Sequence, residues 1–97
     1  MADSSVRSRI LVVDDAPAVR EALRWVIEDT PDLEIVGETG RGLEVESRVT
    51  NLQPDLVVLD VHLPDLSGYA VARALKAMLP GGLGVPELAM KARKSVA

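Results

Sequence analysis

Leu56-Val57-Val58-Leu59-Asp60, running on through Val61-His62-Leu63-Pro64-Asp65-Leu66-Ser67-Gly68, is the stretch that decides the fold. Four consecutive apolar residues end in a carboxylate, and Pro64 and Gly68 then break the chain. So short and so apolar a run predicts a strand buried on both faces. Asp60 falls at its carboxyl end, where open parallel sheets place their ligands. Ile10-Leu11-Val12-Val13 has the same design and runs straight into Asp14-Asp15. Two buried strands that each end in acid bring three carboxylates toward one crevice.

Working outward, the segments between and beside these strands read as helices and one further strand. Strand one covers Arg9 to Val13. Pro17 suits the first turn of a helix, and Val19, Ala22, Leu23, Val26 and Ile27 recur at helical spacing up to Asp29. Arg20, Glu21, Arg24 and Glu28 lie mostly off that stripe, and Arg24 with Glu28 forms an i,i+4 surface pair. Leu33 to Glu38 reads as a charged edge strand, and Val45, Val49 and Leu52 mark a short helix from about Leu43. After Gly68, the positions Val71, Ala72, Leu75, Met78 and Leu79 predict a third helix, from Tyr69 to Leu79 and stopped by Pro80-Gly81-Gly82.

The rhythm is β-α-β-α-β-α, the signature of a parallel α/β sheet with right-handed crossovers. With strand order 2-1-3, Asp14, Asp15 and Asp60 meet where the order reverses. Residues 1–8 read as a flexible lead-in, 9–80 as the domain core, and 81–97 as a glycine-rich linker and short C-terminal helix. That helix is expected over 86–94, because Glu87-Leu88-Ala89-Met90-Lys91 contains strong helix formers and no β-branched residue. Lys91, Arg93 and Lys94 then form a solvated helix face.

Composition narrows the function. The 97 residues are 47% hydrophobic but include no Phe, one Trp and one Tyr, so the core is aliphatic. Trp25 and Tyr69 are expected as packing residues. A net charge of −4 gives no electrostatic basis for nucleic-acid binding. The absence of cysteine excludes disulfides and thiolate metal ligands and agrees with a cytoplasmic protein. The polar N-terminus does not read as a signal peptide, and no apolar run approaches a membrane span.

Three carboxylates in one crevice repel one another, and a hard divalent cation removes the conflict. Mg²⁺ takes oxygen ligands, keeps several waters and accepts one or two carboxylates plus a phosphate oxygen. A carboxylate beside such an ion can attack phosphorus to form an aspartyl phosphate. A single Asp after an apolar run is ordinarily a turn residue, and Asp14-Asp15 alone suits a helix N-terminus. Two such ends on adjacent strands favour a metal and phosphoryl site. His62, the only histidine, is expected to turn its side chain to solvent and its backbone carbonyl to the metal.

Residues 9–80 closely resemble the receiver domain of bacterial two-component response regulators, with the greatest similarity to those carrying a LuxR-type helix-turn-helix output. The resemblance rests on Arg9 to Asp15, on Pro31-Asp32-Leu33-Glu34-Ile35-Val36-Gly37-Glu38, on Pro54 to Asp60, and on the D-x3-P-x3-G pattern of Asp60, Pro64 and Gly68. It implies a flavodoxin-like sheet and a phosphorelay protein that is not itself an enzyme. Asp60 is then the phosphoacceptor, supplied by a phosphohistidine on a sensor histidine kinase. Asp15 is the direct Mg²⁺ ligand, Asp14 acts largely through water, and the His62 backbone carbonyl is the third protein ligand.

The chain departs from the family after residue 80. The family's Ser or Thr at the end of strand four falls near residues 88–91, where Leu88, Ala89, Met90 and Lys91 carry no hydroxyl. The Lys that ends strand five lies beyond Ala97. A C-terminally truncated or divergent receiver is therefore expected, with strands four and five incomplete or replaced. The apolar Leu56–Leu59 strand would then be an open sheet edge, which predicts a homodimer unless residues 84–97 fold back over it. The alternative reading is a degenerate receiver, an interaction or dimerisation module that is never phosphorylated. A haloacid-dehalogenase-type hydrolase needs a D-x-D pattern that Asp14-Asp15-Ala16 does not supply. A histidine phosphotransfer protein would be all-helical, against the two aliphatic strands.

Overall fold

The computed structural model describes residues 7–78 and 87–91. Strand β1 (Ser8–Val13) leads to helix α1 (Pro17–Glu28), strand β2 (Leu33–Thr39), a 3-10 turn (Gly42–Glu44) and helix α2 (Val45–Leu52). Strand β3 (Leu56–Asp60), helix α3 (Gly68–Met78) and strand β4 (Glu87–Lys91) follow. The sheet order is β2-β1-β3-β4, and every pair is parallel. The expected 2-1-3 order is present, with a fourth strand added beyond β3.

That fourth strand corrects the C-terminal helix expected over 86–94. The segment is rich in helix formers, but β3 without a neighbour would leave a row of unpaired backbone N–H and C=O groups beside an apolar strand. Leu56 to Asp60 instead pair in register with Glu87 to Lys91. Backbone pairing at the sheet edge outweighs a local propensity worth only tenths of a kcal/mol per residue. The open β3 edge behind the expected homodimer is therefore occupied, and β4 forms the margin of the sheet among the described residues. The flexible lead-in at 1–6, the glycine cluster at 81–84 and residues 92–97 lie outside the described residues.

Alternation along the strands divides the core in two. Leu11, Val13, Val57 and Leu59 join Val45 and Val49 of α2 and Val71, Ala72 and Leu75 of α3 on one face. Ile10 and Val12 join Ile27 of α1 on the other, with Leu23, Ile35, Leu56 and Val58 partly buried around them. The stripe of α1 is narrower than its apolar spacing implies. Leu23 and Ile27 face the sheet, whereas Trp25 and Val26 are 73% and 65% exposed. Tyr69 is 62% exposed, so neither large aromatic is a packing residue. A single helix seated on one sheet face reaches it with only one narrow row of side chains.

Arg24 also departs from its expected partner. It does not pair with Glu28; its Nε and one Nη donate to the two carboxylate oxygens of Glu38 on β2, both at 2.8 Å. The planar fork of a guanidinium matches a carboxylate held at fixed orientation, and a strand provides that better than the next helical turn.

Candidate phosphoryl and metal site

Val13 and Leu59 are register partners on adjacent parallel strands. The residues immediately after Val13 and Leu59 therefore emerge side by side at the carboxyl edge of the sheet. These are Asp14 and Asp60, 1% and 0% exposed, and Asp15 follows in an exposed position. One carboxylate oxygen from each of the three lies within 4.8 Å of the others. The sequence singled out all three residues, and the structure brings them together.

The two buried acids are set by the same local device. Asp14 Oδ1 accepts a hydrogen bond from the Ala16 amide at 2.9 Å, and Asp60 Oδ1 accepts one from the His62 amide at 3.0 Å. Each is a side-chain turn two residues long, the ordinary role of an Asp that ends a strand. Here the turn also fixes the carboxylate, so the turn role and the site role are compatible. His62 is exposed, and its backbone lies at the site through this amide.

Pro64 and Gly68 direct the chain back under Asp60. The Gly68 amide donates to the Val61 carbonyl at 2.9 Å. A Cβ at position 68 would collide with the Asp60 carbonyl oxygen and stand 2.7 Å from Val61 Cα. Only glycine lets α3 begin this close to the backbone of Asp60.

Asp65 is a residue whose role the sequence did not suggest. Its carboxylate accepts the Gly42 amide at 2.8 Å and the Leu43 amide at 2.9 Å. It therefore ties the β3–α3 loop to the turn that opens α2. The Leu43 amide foremost, with the Gly42 amide, holds the Asp65 carboxyl below the usual carboxylate range. A capping residue 22 positions from its amide gives no local signal in the sequence.

Beside the exposed Asp15 lies a polar recess of about 650 Å³, lined among others by Arg20, Arg24, Glu38, Arg41 and Pro64. A recess of about 750 Å³ lies by the last turn of α1, among Trp25, Val26 and Thr30. Of the three carboxylates, Asp15 lines the polar recess, and none lines the second one. The three converging carboxylates form an oxygen-only, anionic donor set, which suits a hard cation of the Mg²⁺ type and not a thiophilic metal. The residues at the end of β4 carry no hydroxyl, as expected, and Lys91 occupies the register position beside Asp60.

Comparison with known proteins agrees with this geometry. The family model for the response regulator receiver domain matches residues 10–93. A protein-glutamate methylesterase/protein-glutamine glutaminase of Agrobacterium fabrum is 33% identical over 76 residues, which is 78% of this chain and 22% of the relative. The chain thus spans about a fifth of the length of the curated relatives it matches. Among solved structures, the response regulator domain of Thermotoga maritima CheB is 29% identical with a TM-score of 0.79, covering 89% of this chain and 60% of that one. A LuxR-family response regulator from Aurantimonas sp. SI85-9A1 is also 29% identical, with a TM-score of 0.80, covering 92% of this chain and 61% of that one. The sheet order, the acidic cluster and these matches agree, and the chain belongs to the response regulator receiver domain family.

Proposed function

We propose that this receiver domain binds Mg²⁺ through Asp14, Asp15, Asp60 and the His62 backbone carbonyl, and accepts a phosphoryl group on Asp60. The observation that carries this reading is the convergence of three carboxylate oxygens within 4.8 Å at the carboxyl edge of adjacent strands. Asp15 is the exposed member and marks the side from which ion and donor approach. When bound, the ion offsets the charge of the acids and of the incoming phosphoryl group.

The donor is a phosphohistidine on a sensor histidine kinase, which places the protein in the cytoplasm. An Asp60 carboxylate oxygen attacks phosphorus and forms the P–O bond. The P–N bond to imidazole breaks, and its electron pair returns to the ring nitrogen. The Asp60 turn, closed by the His62 amide, holds the attacking carboxylate in one orientation throughout. Phosphoryl transfer asks little more of a protein than positioning and charge compensation. The chain receives the group and does not turn over a substrate; the methylesterase activity in the name of its relatives is not assigned to it.

The missing hydroxyl at the end of β4 favours the second reading, a receiver that acts only as an interaction module. One experiment separates the two. Intact mass is measured after incubation with a small acyl phosphate and Mg²⁺, for wild type and Asp60→Asn. A phosphoryl adduct in wild type and none in the variant supports phosphoacceptance. No adduct on a folded wild-type sample supports the interaction module. No helix among the described residues is long and apolar enough to cross a membrane.

A further inference from the structure

The polar recess beside Asp15 is walled by the loops that follow three strands. Asp15 comes from the loop after β1, Gly40 and Arg41 from the loop after β2, and Pro64 from the loop after β3. It therefore opens at the carboxyl edge of the sheet, where the three acids converge. Three arginines line it, and two are committed. Arg24 holds both oxygens of Glu38, and Arg20 donates to the Asp14 carbonyl and stands 3.6 Å from the same Glu38 carboxylate. Arg41 is held by its backbone alone: its amide donates to Thr39 Oγ1 at 3.2 Å, and its carbonyl accepts the Glu44 amide at 3.2 Å. Just before it, Gly40 runs so close to Asp15 that a Cβ there would stand 3.3 Å from Asp15 Cα. The Arg41 side chain is exposed and makes no hydrogen bond or ion pair among the described residues. Nearby Glu44 already takes the Thr39 hydroxyl at 2.6 Å and Arg48 at 3.4 Å.

We propose that this recess is the path by which an anionic phosphoryl donor enters, and that Arg41 guides it, attracting the phosphoryl oxygens before they reach Asp60. The proposal rests on the Mg²⁺ and phosphoryl reading of the site. A phosphohistidine or a small acyl phosphate carries negative charge on the group to be transferred, and a divalent cation does not cancel three carboxylates. The site thus repels what it must receive. A cation at its mouth offsets that repulsion, and the walls of a recess focus the field. A guanidinium already paired with a carboxylate presents little net charge, so of the three arginines only Arg41 meets the need. It acts through charge and not through a two-pronged fork, so a lysine can replace it.

The test uses the full chain as wild type, Arg41→Gln and Arg41→Lys, with saturating Mg²⁺ and a small acyl phosphate that is dianionic at neutral pH. The second-order rate of labelling is read by intact mass at low ionic strength and in 1 M salt, roughly a 30 Å and a 3 Å Debye length. Mg²⁺ affinity is measured separately by titration calorimetry. Arg41→Gln is expected to label about fivefold more slowly at low ionic strength, the scale of one charge acting on a dianion across several ångströms of water. That gap should close in 1 M salt, Arg41→Lys should keep most of the wild-type rate, and neither variant should bind Mg²⁺ more weakly. An Arg41→Gln rate equal to wild type at low ionic strength overturns the proposal while leaving the site reading intact. A deficit that persists in 1 M salt, or that comes with an equal loss of Mg²⁺ affinity, assigns Arg41 a structural role and also overturns it. A folded wild type that takes no label overturns both.

Discussion

Gly68 leaves no room for a side chain: a methyl group there meets the backbone of Asp60 and Val61, which cannot yield without moving Asp60 itself. Gly68→Ala should therefore destabilise the fold by about 1–3 kcal/mol, the usual range for overpacking, as read from urea denaturation. The same variant should lose acyl-phosphate labelling of Asp60 by more than its stability alone explains. Asp65 acts at the same scale. Its carboxyl is held low by the Leu43 and Gly42 amides, so its contribution is fully present above the ordinary aspartate range, about pH 3.9. It is lost as pH falls through the lowered folded value. Asp65→Asn should loosen the join between the β3–α3 loop and α2, with faster amide exchange at Gly42 and Leu43 than in wild type.

At the scale of elements, α1 is fastened to β2 by the Arg24–Glu38 fork in addition to its apolar stripe, of which Ile27 is the buried member. The hydrogen bond from Arg24, together with its charge, holds the Glu38 carboxyl below the usual range. The folded-state value lies under the unfolded one, so the stabilisation is fully present above the ordinary glutamate value of about 4.3. It disappears as pH falls through the depressed folded value. Wild type should thus be more stable than Glu38→Gln at pH 7, and the gap in urea midpoint should close as pH is lowered toward 3. A constant gap across that range would show that the fork does not depend on the charge of Glu38. The i,i+4 spacing of Arg24 and Glu28 suggests a local pair; the pairing with Glu38, 14 residues on, needs α1 folded back over β2.

At the scale of the whole molecule, the sheet separates a larger core under α2 and α3 from a smaller one under α1. Leu59 is fully buried in the larger, and Leu59→Ala should cost about 2–5 kcal/mol, as large-to-small changes in cores do. β4 closes the edge of β3 through five register pairs, from Leu56↔Glu87 to Asp60↔Lys91. A chain ending at residue 86 would expose that apolar edge and should self-associate, which size-exclusion chromatography with light scattering would detect. A shortened chain that stays as monodisperse as the full one would mean that β4 does not protect the edge.

The sequence by itself determined the elements whose pattern is local and strong. The run Leu56 to Asp60 forms a strand with those bounds, and Val71, Ala72 and Leu75 form the buried stripe of α3. Ile10 to Val13 and the acids that follow were legible for the same reason. A buried parallel strand needs an unbroken aliphatic run, and two such runs that each end in acid on adjacent strands bring their carboxylates together. The acidic cluster therefore followed from two strand ends and one topological rule. Tertiary structure alone decided the fate of residues 87–91, where the open edge of β3 imposed a strand on helix-forming residues. It also decided the partners of Arg24, Arg20 and Asp65, each of which bonds to a group outside its own helix or loop. Such pairings depend on which surfaces the folded chain brings together, and no residue within a few positions signals them.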